Sequence, residues 1–320
     1  MTDSVDFVAT HDPLLRNPSL DYEVTLPVLG LPTRFESNSR HVIETVDQTF
    51  GHWRALMSTQ TPAVQPLRVR IVVHDGQEDS TRPIRVRYIA PDPVRIIAQS
   101  SGSIAISDPA RRESVAFIST TAAGDRDHFR EAFLEATTFG LLAHFDRHPI
   151  HAAAIALEGR AVLLVGASGA GKSTLAHLAH GAGIDVMSED RVWIQLEPSV
   201  TVWGSPGHVR LRVDGTSDKR VVPLAPAAGT ASHRATSAVV CVLDRGATAS
   251  LDRIDSATLR EALTQDVAPG FDRFPSRHQT CASALAACGG WRLTLSSDPR
   301  AALPLLQQLL RETPTEAVAP

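Results

Sequence analysis

Apolar residues recur near helical spacing from His41 to Met57, where Val42, Ile43, Val46, Phe50, Trp53 and Leu56 share a face behind the polar run Phe35-Glu36-Ser37-Asn38-Ser39. The period then changes to two. Leu67-Arg68-Val69-Arg70-Ile71-Val72-Val73 and Ile84-Arg85-Val86-Arg87-Tyr88-Ile89 set arginines against aliphatics, which predicts two strands with one polar face each. Solvation accounts for Arg68, Arg70, Arg85 and Arg87 more simply than an acidic partner does. Ser103–Ser107 and Ser114–Ile118 read as a further strand pair, joined by a turn at Asp108-Pro109-Ala110. Gly124-Asp125-Arg126 marks a boundary, and a long helical pattern follows from His128 to about Phe145.

Beyond it the pattern is that of an α/β core. His151–Leu157 and Ala161–Val165 flank a Glu158-Gly159-Arg160 turn, which predicts a hairpin. A helix begins at Ser173, ends at Gly181-Ala182-Gly183, and gives way to a strand from Ile184 to Met187. Strands at Val209–Val213, Ala238–Leu243 and Trp291–Leu295 alternate with helices at Ser256–Leu263 and Ala301–Leu310. Three regions result: a mixed α+β domain over 1–125, an α/β domain over 126–312, and a disordered tail over 313–320.

Composition narrows this picture. The 320 residues are 43% hydrophobic, enough for a full core, and carry a formal charge of −4, which speaks against a general nucleic-acid binder. No apolar stretch reaches the length of a membrane span and Met1–Asp12 lacks a signal-peptide layout, so the expected location is the cytoplasm, with no membrane partner. The three cysteines, Cys241, Cys281 and Cys288, contain no CxxC pair, and Cys241 sits in an apolar run as a small core residue.

The chemistry concentrates in Gly166-Ala167-Ser168-Gly169-Ala170-Gly171-Lys172-Ser173, a GxxxxGK[ST] loop between an apolar strand and an amphipathic helix. Such a loop cradles a triphosphate with backbone amides, its lysine meets the outer phosphates, and its serine holds magnesium. ATP and Mg2+ are therefore the expected cofactors, with Thr174 completing the binding set. Lysine is scarce: Lys172 and Lys219 are the only two in the chain. An ammonium is a compact point charge and a guanidinium a planar fork, so a site shaped for one tolerates the other poorly.

Ser188-Glu189-Asp190 follows the next strand, whose end should share an edge with the loop. Phosphoryl transfer requires a carboxylate near the metal and another to accept the proton of the attacking hydroxyl. Asp190 is assigned as the base and Glu189 as the metal's partner beside Ser173, with the exchange of these roles left open. His151 precedes the loop by one hairpin and reaches either the phosphates or the acceptor. Lys219, in Asp218-Lys219-Arg220, follows Arg210 and Arg212 in a glycine-bearing segment suited to closing over phosphates.

With His151, the loop and Glu189-Asp190 in this order, the chain resembles the kinase domain of HPr kinase/phosphorylase and related bacterial serine kinases. The resemblance is good over roughly 148–195 and loose beyond, to about 310. It implies the sheet of the HPr kinase and phosphoenolpyruvate carboxykinase type. It also implies ATP-dependent phosphorylation of a serine hydroxyl on a peptide or protein, and a homo-oligomer is compatible with it. The first acid of the pair, usually Asp in that family, is Glu here. The glycine-rich signature of the bifunctional enzymes has no match. Val28-Leu29-Gly30 followed by Phe35-Glu36-Ser37-Asn38 looks like the stand-alone relatives found with peptide-tailoring enzymes, including lasso-peptide kinases. An ATP-gated regulatory module without phosphoryl transfer stands as the alternative. A GTPase is disfavoured because neither lysine follows an asparagine as NKxD requires, and no LSGGQ-like signature suggests a transporter ATPase.

Overall fold

The computed structural model describes residues 18–56, 65–76, 95–212, 219–224, 233–264, 275–287 and 289–311. They divide into two compact units, one up to His144 and one from Phe145.

The first unit is built on a six-stranded mixed sheet. Its strands are β1 (Tyr22–Val28), β2 (Leu31–Ser37), β3 (Leu67–His74), β4 (Arg95–Gln99), β5 (Ile104–Asp108) and β6 (Glu113–Ser119), in the order β1-β2-β3-β6-β5-β4. β2, β3 and β6 run parallel and the remaining pairs are antiparallel. Leu29 and Gly30 join β1 to β2 with φ of 49° and 75°, the backbone of a two-residue turn whose twist suits a hairpin. The two-residue period of β3 is realised: Leu67, Val69 and Ile71 are buried while Arg68 and Arg70 take the other face. That face is ion-paired. Arg68 bonds Glu36, and Arg70 Nη1 lies 3.6 Å from Glu113 Oε1. The strand expected at 84–89, with Arg85 and Arg87, lies outside the described residues.

The helix expected over His41–Met57 is α1 (Arg40–Phe50) followed by a 3-10 turn, Gly51–Leu56, burying Val42, Val46, Phe50 and Trp53. The helical run expected from His128 to about Phe145 is present as α3 (Arg126–His128), a π-helical stretch Phe129–Glu135, α4 (Ala136–Leu142) and a 3-10 turn Ala143–Phe145, and a separate short helix, α2 (Thr120–Gly124), precedes it. Two successive caps set separate starts: Ser119 Oγ accepts from the Ala122 N–H at 3.1 Å, and Asp125 Oδ1 from that of His128 at 3.1 Å. α4 packs against β4, β5 and β6, so this run belongs to the first unit, and the division falls after His144 rather than near Gly124.

The second unit has two main sheets. Its elements are β7 (His148–Ile150), β8 (Ala153–Leu157), β9 (Arg160–Val165), α5 (Lys172–Gly181), β10 (Asp185–Ser188), β11 (Val192–Gln195) and β12 (Thr201–Trp203). After these come β13 (His208–Arg212), β14 (Lys219–Pro223), β15 (Arg234–Ala235), β16 (Ser237–Arg245) and β17 (Ser250–Ile254). The last are α6 (Ser256–Thr264), α7 (Pro275–Ala287), β18 (Gly290–Leu295) and α8 (Leu303–Arg311). The larger sheet has the order β10-β8-β9-β16-β18-β17 and the smaller the order β15-β12-β11-β7, while β13 and β14 form a separate hairpin.

Successive side chains of the central strands alternate between two apolar layers, as strand geometry demands. Val162 and Leu164 of β9 face Leu175, Ala176 and Ala179 of α5 and Leu306, Leu309 and Leu310 of α8. Ala161, Leu163 and Val165 face the opposite layer, formed by α6, α7 and the smaller sheet. A β9 with apolar residues on both faces is therefore a continuous hydrophobic run. Cys241 lies in the first of these layers, where burial pushes its thiol pKa up and keeps it protonated; Cys288 lies outside the described residues. Where the smaller sheet meets β10, a Cβ on Gly204 would stand 2.4 Å from the Met187 carbonyl oxygen, so only glycine fits. No described helix is long and apolar enough to cross a membrane.

Candidate active site

The β8–β9 hairpin turns on Glu158 and Gly159, with φ of 49° and 81°, and pairs Leu157 with Arg160 and Ala153 with Leu164. Because β9 runs away from that turn, its end at Val165 and the start of β8 lie at the same edge of the larger sheet. β10 pairs antiparallel with β8 and so runs in the same direction as β9, ending at the same edge. The chain therefore leaves β10 at the same edge as the loop, with the antiparallel strand β8 between β10 and β9. Two strand spacings of about 4.8 Å separate β10 from β9.

At the end of β9 the chain leaves the sheet through Gly166–Gly171 and enters α5. Gly169 and Gly171 have φ of 86° and 113°, which side chains with a Cβ rarely adopt, so the glycines shape the loop. Ala167, Ser168 and Gly169 form an exposed crest; Ser173 is half-buried and Thr174 exposed. Gly166, Ala170 and Gly171 are half-buried beneath that crest. Lys172 is only 7% exposed. Its Nζ donates to the Gly166 carbonyl at 2.5 Å and to that of Ala167 at 3.3 Å, so the ammonium is folded under the loop. The helix start adds unbonded N–H groups and a partial positive charge at the same place. Phosphate is the natural complement of such a turn.

The smaller sheet brings His151 and Asp190 together. β7 pairs antiparallel with β11, with Ile150 opposite Val192, so continuing the register by one step places His151 beside the residues that precede β11. On the other side, Ala154 of β8 pairs with Ser188 of β10. The chain therefore crosses between sheets twice, at 151–152 and at 189–191, and the two crossings lie side by side. His151 Nδ1 is 3.7 Å from Asp190 Oδ1, with the two side chains 34% and 44% exposed. Both groups are open to an incoming molecule. At the other end of β7, Arg147 is buried with its guanidinium 5.0 Å from the centre of the Trp203 ring, and burial pushes its pKa down to about 10.

Glu189 points elsewhere. It is 8% exposed, its Oε1 accepts from Arg210 Nε and its Oε2 from the Arg210 backbone N–H. Both oxygens are taken by β13, and the pair fastens the β13–β14 hairpin to the end of β10. Val209 of that hairpin enters the layer that includes α5. Lys219 starts β14 opposite Arg212 in the backbone register, and its side chain lies outside the described residues. Among the described residues no group of three or more His, Cys, Asp or Glu side chains could hold a metal ion.

Periodicity gave no sign of β7, β11, β12 or β15, and hence none of the smaller sheet. Each is short, with His148-Pro149-Ile150 and Thr201-Val202-Trp203 spanning three residues. The available signal was two interrupted strand patterns, His148–Leu157 and Asp185–Gln195, each broken near its middle by polar residues.

No family model matches the chain, and no curated protein matches it. Among solved structures the chain is similar to the Hpr(Ser) kinase/phosphatase from Coxiella burnetii. The two share 11% identity at a TM-score of 0.29, over 51% of this chain and 93% of that one. A TM-score of that size establishes no common fold.

Proposed function

We propose that the second unit binds MgATP on the 166–173 loop and transfers its γ-phosphate to a serine hydroxyl of a peptide or protein. The observation that carries this reading is the meeting, at one sheet edge, of a glycine-shaped loop over a buried lysine with an exposed histidine–carboxylate pair. A loop alone serves any nucleotide-binding protein. An accessible carboxylate beside it gives an acceptor hydroxyl somewhere to leave its proton.

In this reading the acceptor oxygen attacks the γ-phosphorus and the bond from that phosphorus to the β-phosphate oxygen breaks. The acceptor's proton passes to Asp190, and ADP departs. His151, 3.7 Å from the Asp190 carboxylate, orients it toward the acceptor. Lys172 and the loop amides neutralise phosphate oxygens. Magnesium would be held by Ser173, phosphate oxygens and water, in keeping with an ion that uses one or two protein ligands. When bound it would draw charge from the phosphates. Glu189 serves as the anchor of the β13–β14 hairpin, because a ligand role would cost it Arg210. Lys219, carried on that hairpin, is retained as a candidate for closing over the phosphates.

Transfer of labelled γ-phosphate from MgATP to peptides and small molecules of a host extract tests the reading. Label on a serine-bearing acceptor, lost in Lys172→Ala and Asp190→Asn, is the expected result. ATP binding without label on any acceptor would favour the ATP-gated module instead.

A further inference from the structure

The strand on the far side of β9 also ends at this edge. β16 runs parallel to β9, with Val242 opposite Val165, so Leu243, Asp244 and Arg245 continue past the strand beside the loop. Contacts confirm the approach: a Cβ built on Gly166 would stand 3.5 Å from the Leu243 Cβ, and one built on Gly171 would stand 3.6 Å from Arg245 Nη2. Gly171 is the residue that caps α5. The Arg245 guanidinium therefore rests against the turn where Lys172 and the N-terminus of α5 already concentrate positive charge.

Nothing described in the chain answers that charge through Arg245. The residue is exposed, and its guanidinium forms no ion pair or hydrogen bond among the described residues. The nearest acid in sequence, Asp244, accepts from the Arg245 backbone N–H at 2.8 Å, and its other oxygen lies 4.0 Å from Arg292 Nε. Cations near a helix N-terminus are disfavoured, and acids are the usual occupants there. An arginine held in this position without a carboxylate becomes favourable once an anion occupies the turn. Its planar fork suits a phosphate, to which it can donate two N–H groups at once.

We infer that Arg245 is a further phosphate-binding residue, reaching from the end of β16 to the β- and γ-phosphates of the nucleotide held by the 166–173 loop. This rests on the nucleotide reading above. It places two kinds of group on opposite sides of β9: the His151–Asp190 pair toward β10, and the Arg245 guanidinium toward β18. The acceptor side of the site is left open, and the nucleotide is gripped from behind.

The test is calorimetric titration of the full chain with MgATP, using wild type, Arg245→Ala and Arg245→Lys, with the melting temperature of each protein measured without nucleotide. Wild type is expected to bind. Arg245→Ala should bind about tenfold or more weakly, the loss of a charge-assisted contact, with a nucleotide-free melting temperature no lower than that of wild type, because the side chain is exposed and its charge is unfavourable at the empty turn. Arg245→Lys should recover part of the affinity, since it keeps the charge and loses the fork. Equal ATP affinity in wild type and Arg245→Ala overturns the inference and leaves the kinase reading standing. Absence of ATP binding in wild type overturns that reading and this inference with it.

Discussion

On β2 of the first unit, Glu36 lies almost buried and Arg34 and Arg68 converge on its carboxylate, while Glu113 takes Arg70 and the far side of Arg68. Along the loop edge of the second unit the charges are arranged differently. Lys172 is folded onto backbone carbonyls, Arg245 has no acid among the described residues, and His151 and Asp190 stand 3.7 Å apart in the open. The first arrangement closes on itself. Each formal charge has an opposite neighbour, so the ladder contributes modestly to stability and leaves nothing to offer a ligand. The second keeps cationic groups at one point and an exposed histidine–carboxylate pair at another, the layout that the proposed phosphate and hydroxyl would complete.

The sharpest way to break the contrast is to remove groups from the open arrangement. Lys172→Ala should abolish phosphate transfer, and Asp190→Asn should slow it by about 10²–10⁴-fold while leaving ATP affinity close to that of wild type. Single-turnover assays beside equilibrium titrations separate the two effects. If Asp190→Asn transfers at the wild-type rate, Asp190 is not the base.

Next in size is a change outside the site. Gly204→Ala forces a Cβ into the Met187 carbonyl, a backbone group that cannot rotate away. The expected loss is about 3 kcal/mol in urea denaturation. Transfer should fall with it, because Met187 leads directly into Ser188-Glu189-Asp190. Wild-type stability would show that the two sheets adjust more freely than their packing implies.

Glu189→Gln tests whether the buried acid is an anchor or a metal ligand. Loss of its charge should cost about 1–2 kcal/mol, and a double-mutant cycle with Arg210→Ala should show coupling between the two. Arg210 is 42% exposed, which holds the figure below the range for fully buried pairs. The magnesium dependence of transfer should not move; a large rise in the magnesium requirement would assign Glu189 to the metal.

The smallest effect belongs to the first unit. Arg68 is 48% exposed, and the hydrogen bond to Glu36 holds its guanidinium pKa up. Arg68→Ala should cost about 1 kcal/mol at low salt and less at high salt. ATP affinity should stay at the wild-type value.

Local patterns were legible wherever the chain stays in one environment for several residues. β9 buries both faces and reads as an apolar run; α6 and α8 show one-sided patterns; Asp108 caps the turn between β5 and β6 through the Arg111 N–H. The β8–β9 hairpin is legible from its turn, whereas β1 and β2 meet at Leu29-Gly30, whose leucine is not a usual turn residue. α7 leaves little local signature: its stretch Pro275–Ala287 has a weak apolar face and carries His278 and Cys281 inward. The helical run from His128 to Phe145 is legible as helix, but its seven-residue π-helical stretch Phe129–Glu135 and the separate α2 before it are not, because neither leaves a pattern of its own in so few residues.

By itself the sequence determined the loop and the identity of its neighbours: three glycines, a lysine in a chain that has only one other, and a helix start. These are local, since a turn and the first residues of a helix are set by nearby φ angles and caps. Tertiary structure alone decided which acid faces His151, which acid is spent on Arg210, and that Arg245 arrives from a strand far along the chain. The physical reason is register. Strand pairing fixes which residues meet at a sheet edge, and pairing depends on partners distant in sequence whose contacts no local pattern encodes.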